Sequence, residues 1–225
     1  MKNKKIQLKT KRLCMEPKTL EELRNIKMRE KDPELKKAYQ DMIDGMEAHP
    51  EEWLWYTDWT ISLRKEKIAI GGLGFKGAPD EKAEVEIGYG IDEPYRRQGY
   101  GKEAVNAMLE WAFSDENVYF VMAETAPENT ASQELLKKAG FVETGVLGEE
   151  RPRYEKERPA GGYMATYMCL GLSVGMCFGL SLFDNLAMGM CLGMAMGICI
   201  GAGLDSQEKK KREEIRERRK GKAQQ

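Results

Sequence analysis

Between Glu84 and Ala112 the chain runs strand, basic glycine turn, helix, and this order constrains its fold more than any other stretch. Val85, Ile87, Tyr89 and Ile91 alternate with Glu86, Gly88 and Gly90, the period of two that gathers side chains on one face of a strand. Ala104, Val105, Met108, Leu109 and Ala112 then recur at helical spacing, an apolar stripe that needs burial. The link Tyr95-Arg96-Arg97-Gln98-Gly99-Tyr100-Gly101-Lys102 is basic and holds two glycines. Amides at a helix start have no partner inside the helix, and the helix dipole is positive there. Glycines let an anion approach those amides, so the turn reads as a phosphate cradle.

Two common phosphate loops do not match. The Gly-x-x-x-x-Gly-Lys-Ser/Thr loop needs wider glycine spacing, and Gly-x-Gly-x-x-Gly fails as well. What stands is Arg96-x-x-Gly99-x-Gly101. After a further strand pattern at 119–125, Asn129 opens a helix that closes on Gly140-Phe141. This pair of motifs, separated by one strand and two helices, resembles the GNAT acetyltransferase superfamily over roughly residues 8–158. The Glu86-Ile87-Gly88-Tyr89 strand and Ser132 are most similar to the branch that includes RimJ/RimL-type N-terminal acetyltransferases.

The resemblance implies an α/β (α+β) fold, a twisted mixed sheet flanked by helices, and acetyl-CoA as acetyl donor to an amine acceptor. It places the pyrophosphate on the backbone of Arg97, Gln98, Gly99, Tyr100, Gly101 and Lys102, with Arg96 and Arg97 adding side-chain contacts. Lys102 reads more readily as helix surface. The pantetheine arm is expected along the strand edge at Ile91 and Asp92, whose amides could polarise the thioester carbonyl. Asn129 is expected to contact that arm, to cap its helix, or both. Many relatives carry a tyrosine acid seven residues after that asparagine; here the position is Leu136. Ser132 is the residue left to act as cofactor ligand or acid, with an exposed helix serine as the alternative. Glu86 is the candidate base, acting through water, or else a strand carboxylate facing solvent. An α-amine has a pKa of about 7.7–8.0 against about 10.4 for lysine, so a weak base suffices for an N-terminal acceptor. Tyr89, Trp55 and Trp59 are candidate walls of the acceptor pocket; for the two tryptophans, crowded with Trp53 and Tyr56, core packing is the alternative.

Composition narrows the partners. The net charge of −1 carries no nucleic-acid-like basicity. The one histidine, His49, excludes multi-histidine zinc sites and disfavours a Ser-His-Asp triad. None of the five cysteines forms a Cys-x-x-Cys pair, and no metal is expected. Met1-Lys-Asn-Lys-Lys leads into no apolar run, so no secretory signal is expected, and residues 1–158 are expected in a reducing cytoplasm.

Ahead of the cradle, Ile6 to Cys14 reads as a first strand, Thr19 and Asp32-Pro33 as two helix starts, and 59–63 with 68–75 as a strand pair. Residues 149–158 are too charged to assign.

At Gly161 the composition changes. Residues 161–204 hold one charge, Asp184, and divide at Asp184-Asn185 into two arms, 161–183 and 186–204. At ~1.5 Å per residue each arm is about long enough to cross a ~30 Å hydrocarbon layer. Glycines at 171, 175 and 179 and at 189, 193, 197 and 201 repeat every fourth residue, which aligns them on one helix face. The pattern resembles a glycine-zipper membrane hairpin, through which copies of the chain could associate; a buried hairpin in a soluble oligomer is the alternative. Arg151, Arg153, Lys156 and Arg158 precede it, and residues 205–225 carry nine Lys/Arg against five Asp/Glu. The positive-inside rule then puts both ends, and the domain at 1–160, on the cytoplasmic face, with 205–225 as a charged tail in which Lys209 to Lys222 reads as a basic helix against anionic headgroups or as an exposed charged helix or frayed end. The leading expectation is a membrane-anchored N-acetyltransferase. The alternative is a membrane scaffold whose acetyltransferase-like domain binds CoA without turnover.

Overall fold

The computed structural model describes residues 6–148, 151–182 and 185–222. It divides between Arg158 and Pro159 into two compact units.

The first unit is built on an eight-stranded sheet. Its strands are β1 (Leu8–Lys9), β2 (Leu13–Pro17), β3 (Asp58–Leu63), β4 (Ala69–Phe75), β5 (Glu84–Ile91), β6 (Phe120–Glu124), β7 (Val142–Gly148) and β8 (Arg151–Glu157). Their order is β1-β2-β3-β4-β5-β6-β8-β7. Every pairing is antiparallel except β5 with β6. The expected single strand from Ile6 to Cys14 is a tight hairpin instead. Thr10 breaks it: its hydroxyl accepts from the Leu13 amide, and its own amide donates to the Leu13 carbonyl. The charged segment left unassigned forms β8 over 151–157, because its alternation buries Tyr154 against the core.

Two helices follow β2. α1 (Leu20–Arg29) starts at a capping box between Thr19 and Glu22, and α2 (Pro33–Ala48) starts at an Asp32 cap with proline in its first turn. Leu23, Ile43 and Met46 pack them together. α3 (Tyr100–Ser114) and α4 (Thr130–Lys138) come later in the chain. Ala104, Val105, Met108, Leu109 and Ala112 are all buried, and they share one core with Val85 and Ile87 of β5 and Val121 and Ala123 of β6. Each fully buried Val, Leu or Met side chain contributes about 1.5–3 kcal/mol by leaving water. This core sets the depth and direction of α3, and so of the turn at its start.

The second unit is an apolar two-helix hairpin of α5 (Tyr163–Leu182) and α6 (Leu186–Lys222). α6 crosses residue 205 without a break, so the apolar arm and the charged segment form one helix. A Cβ on Gly171 would stand 3.1 Å from Gly197 Cα, on Gly175 2.9 Å from Gly193 Cα, and on Gly179 3.0 Å from Gly189 Cα. Nothing larger than hydrogen fits at this seam. Both helices are long and apolar enough to cross a membrane. Asp184, expected at the turn, lies outside the described residues.

Candidate active site

The site is built where β5 parts from its neighbour. β5 pairs with β6 only from Glu84 to Glu86, while its other edge stays paired with β4 out to Ile91. Beyond Glu86 the edge facing β6 therefore has no paired strand among the described residues. Antiparallel pairing also decides which amides lie on that edge. The Lys76 amide donates to the Glu86 carbonyl and the Asp92 amide to the Ile70 carbonyl, so the even-numbered residues of β5 turn their polar groups to β4. Tyr89 and Ile91 turn theirs to the open edge. The expected role of the Asp92 amide is corrected here: its hydrogen is already committed to Ile70. Ile91 remains, and Tyr89 joins it.

The chain then makes a single 3₁₀ turn at Glu93–Tyr95 and enters the basic turn. Arg97 has φ of 58° and Gly99 has φ of 81°, two left-handed residues around Gln98. A left-handed arginine is uncommon and costs about 1–2 kcal/mol, which the fold of the turn has to offset. Gly99 is the N-cap of α3, and the first helical hydrogen bond runs from the Glu103 amide to its carbonyl. Tyr100, Gly101 and Lys102 are the first helical residues, and their amides have no acceptor within the helix. A Cβ on Gly101 would stand 2.7 Å from Leu135 Cδ1 of α4, so a side chain here would push that leucine aside.

The side chains of the turn mostly brace it. Arg96 Nε donates to the Ile91 carbonyl at 2.8 Å, and Gln98 Nε2 to the Pro94 carbonyl at 3.1 Å. Arg97 and Lys102 are exposed. Lys102 lies near enough to Lys156 to matter. Burial first, and the Lys102 charge second, hold the Lys156 ammonium below its ordinary pKa. From the neighbouring hairpin, Arg12 Nε donates to Glu103 Oε2 at 2.7 Å and Nη1 to the Gln98 carbonyl at 3.0 Å. Sequence reading missed Arg12, since nothing in the β1–β2 stretch signals a partner some ninety positions away.

Asn129 Oδ1 accepts from the Ser132 amide at 3.1 Å, which makes it the N-cap of α4. Tyr89 reaches across from β5, its hydroxyl 2.8 Å from Ser132 Oγ. Burial raises the Tyr89 phenol above its ordinary pKa, and the Ser132 hydrogen bond offsets part of that rise. Leu136, at the position where relatives place a tyrosine, is wholly buried in the core. Glu86 lies on the opposite face of the sheet from Tyr89, paired with Lys76.

Trp55 and Trp59 are not brought to this place. Trp59 is wholly buried beside Ile61, and Trp55 nearly so. Trp111 of α3 stands 4.5 Å from the Trp55 ring and 5.4 Å from the Trp59 ring. They are core, because alternation in β3 turns Trp59 to the face that α3 covers. A cleft of about 780 Å³ lies between α1 and strands β2 and β3, lined by Glu16, Glu22, Arg29, Thr60 and Ser62 among others, and it shares no residue with the turn.

The site is thus a sheet split beside a glycine turn at a helix start, and comparison with known proteins supplies the family. Residues 12–142 match the acetyltransferase (GNAT) domain, and the chain belongs to that family. It is 37% identical over 87 residues to the uncharacterized N-acetyltransferase YjdG of Bacillus subtilis strain 168, across 39% of this chain and 52% of that protein. The chain spans about half the length of the curated relatives it matches. Among solved structures, an acetyltransferase from Agrobacterium tumefaciens strain C58 covers 68% of this chain and 95% of its own at 18% identity and a TM-score of 0.54. The ribosomal L7/L12 α-N-protein acetyltransferase RimL, in complex with coenzyme A, covers 68% and 98% at 12% identity and the same TM-score of 0.54. These two share the fold.

Proposed function

We propose that the first unit transfers an acetyl group from acetyl-CoA to a primary amine, a protein N-terminus or a small-molecule amine. The observation that carries this reading is the open edge of β5 leading directly into the left-handed turn and free amides of α3. The diphosphate of the donor sits on the amides of residues 97–102, and its pantetheine arm lies along the edge, where strand-like pairing is unsatisfied. The thioester carbonyl accepts from the Ile91 or Tyr89 amide, which stabilises the oxyanion as the amine attacks. The C–N bond forms, the C–S bond breaks, and Ser132 supplies the proton to the leaving sulfur. Tyr89 holds the Ser132 hydroxyl. The amine arrives from the face of Glu86, which takes its proton through water. Asn129 caps α4 and turns its amide toward the donor arm.

We further infer that α5 and α6 anchor this unit to a membrane. α5 has 20 residues, about 30 Å of helix, which matches a hydrocarbon layer. Leu170, Val174, Phe178 and Leu180 of α5 and Leu192, Met196 and Ile200 of α6 are exposed apolar side chains, which lipid suits better than water. Both ends lie on the cytoplasmic side, as the flanking lysines and arginines favour. The glycine faces meet each other within the hairpin, so the zipper joins the two arms of one chain, and association between copies needs another face. Acetyl-CoA consumption by the full chain in detergent, measured against a panel of peptide N-termini, polyamines and small amines, tests the activity. Tight CoA binding with no turnover on any of them would favour the scaffold reading, to which the exposed hairpin also lends itself.

A further inference from the structure

Arg12 reaches the turn and the start of α3 from the β1–β2 hairpin. Its Nε bonds Glu103 Oε2 at 2.7 Å, its Nη1 bonds the Gln98 carbonyl at 3.0 Å, and its guanidinium carbon stands 4.5 Å over the Tyr100 ring. Its backbone amide donates to Glu103 Oε1 at 2.9 Å, and the Thr10 hydroxyl donates to the same oxygen at 2.6 Å. Nη2 stands 3.4 Å from where a Gly99 Cβ would be, so the guanidinium lies directly against the loop backbone.

Two physical consequences follow. In a trans peptide the carbonyl and the next amide point opposite ways. Holding the Gln98 carbonyl on the Arg12 side therefore aims the Gly99 amide away from Arg12, out of the turn. Glu103, meanwhile, lies in the first turn of α3, where its negative charge opposes an incoming anion. Arg12 and Thr10 saturate that carboxylate. Burial alone would raise its pKa, but the hydrogen bonds from Thr10 and Arg12 outweigh burial and hold it below the ordinary value.

We propose that Arg12 is a positioning residue for the diphosphate of the donor: it holds the turn in its anion-binding shape from behind and cancels the Glu103 charge, without touching the ligand. This rests on the cradle reading above. Preorganisation of this kind contributes affinity by removing the ordering cost at binding.

Calorimetric titration of the full chain in detergent, with coenzyme A and with pantetheine as probes, tests it. Pantetheine has the arm and no diphosphate. Arg12→Gln should weaken coenzyme A about tenfold and leave pantetheine unchanged, with the melting temperature monitored alongside. Arg12→Lys keeps the charge but cannot span Gln98 and Glu103 together, and should stay weakened about threefold or more. Arg12→Gln/Glu103→Gln should bind coenzyme A better than Arg12→Gln, since the uncovered carboxylate is gone. Unchanged coenzyme A affinity in Arg12→Gln, or an equal loss for both probes, overturns the proposal. Gly99→Glu separates the two levels: if it too binds coenzyme A like wild type, the cradle reading is wrong; if it alone fails, only the role of Arg12 is.

Discussion

The hydroxyl of Tyr89 lies 2.8 Å from Ser132 Oγ, joining the open edge of β5 to the first turn of α4. A serine hydroxyl holds its proton tightly, and a phenol bonded to it fixes its rotamer and its proton. Ser132→Ala and Tyr89→Phe should each lower kcat about tenfold with donor affinity kept, and the double variant should lose little more than Ser132→Ala. Since burial raises the Tyr89 pKa, the phenol stays protonated to higher pH than a free tyrosine. The pH–rate profile of wild type should therefore show no loss from Tyr89 up to about pH 10. Fully additive losses would separate the two residues.

Glu86 and Tyr89 lie on opposite faces of one strand, and the proposed mechanism has donor and acceptor meet across the sheet. Glu86→Gln should lower kcat about a hundredfold while coenzyme A affinity stays within about twofold. Steady-state kinetics beside calorimetry reads both. A shift in affinity with kcat retained would place Glu86 on the donor side.

Glu103 couples stability to acid. Its folded pKa is depressed, so its contribution is fully present above the unfolded value, near 4.5, and is lost as pH falls through the lower folded value. Urea unfolding of wild type and Glu103→Gln between about pH 3 and 7 should show a gap that closes toward the acid end. A gap independent of pH would mean that the carboxylate adds packing only.

Gly193 faces Gly175 across the seam, where a Cβ would stand 2.7 Å from Gly175 Cα. Gly193→Leu should force the helices apart and lower the detergent-resistant helicity of the hairpin, yet leave the chain in the carbonate-resistant membrane fraction. The full chain recovered soluble and monodisperse without detergent would defeat the membrane reading.

Much of the site is visible in the sequence because it is local. The β5 alternation, the Gly99 turn, the α3 stripe and the Asn129 cap each rest on residues a few positions apart, where periodicity and backbone chemistry act. The partners of Glu103 and Glu86 are not visible. Arg12 and Lys76 meet them through sheet order, which charge patterning along the chain does not encode. Trp55 and Trp59 mislead for the same reason: a crowd of aromatics marks a place of burial, and only the packing of α3 and Trp111 decides whether it faces a ligand. The Ile6–Cys14 stretch has the composition of one strand, and a single threonine hydroxyl turns it into two.

A seam of glycines every four residues has no unique alignment. Sliding one helix along the other by one repeat sets glycine on glycine again, like teeth of equal pitch. Asp205 removes that ambiguity. Its two carboxylate oxygens each accept, at 3.1 Å, from the amides of Tyr163 and Met164, the opening residues of the other helix. A slip of four residues, about 6 Å, would still set glycine on glycine, at 171–201, 175–197 and 179–193 in one direction, yet break both bonds. One carboxylate thus acts as the index mark of the hairpin, and it stands where the apolar run of α6 gives way to its charged run.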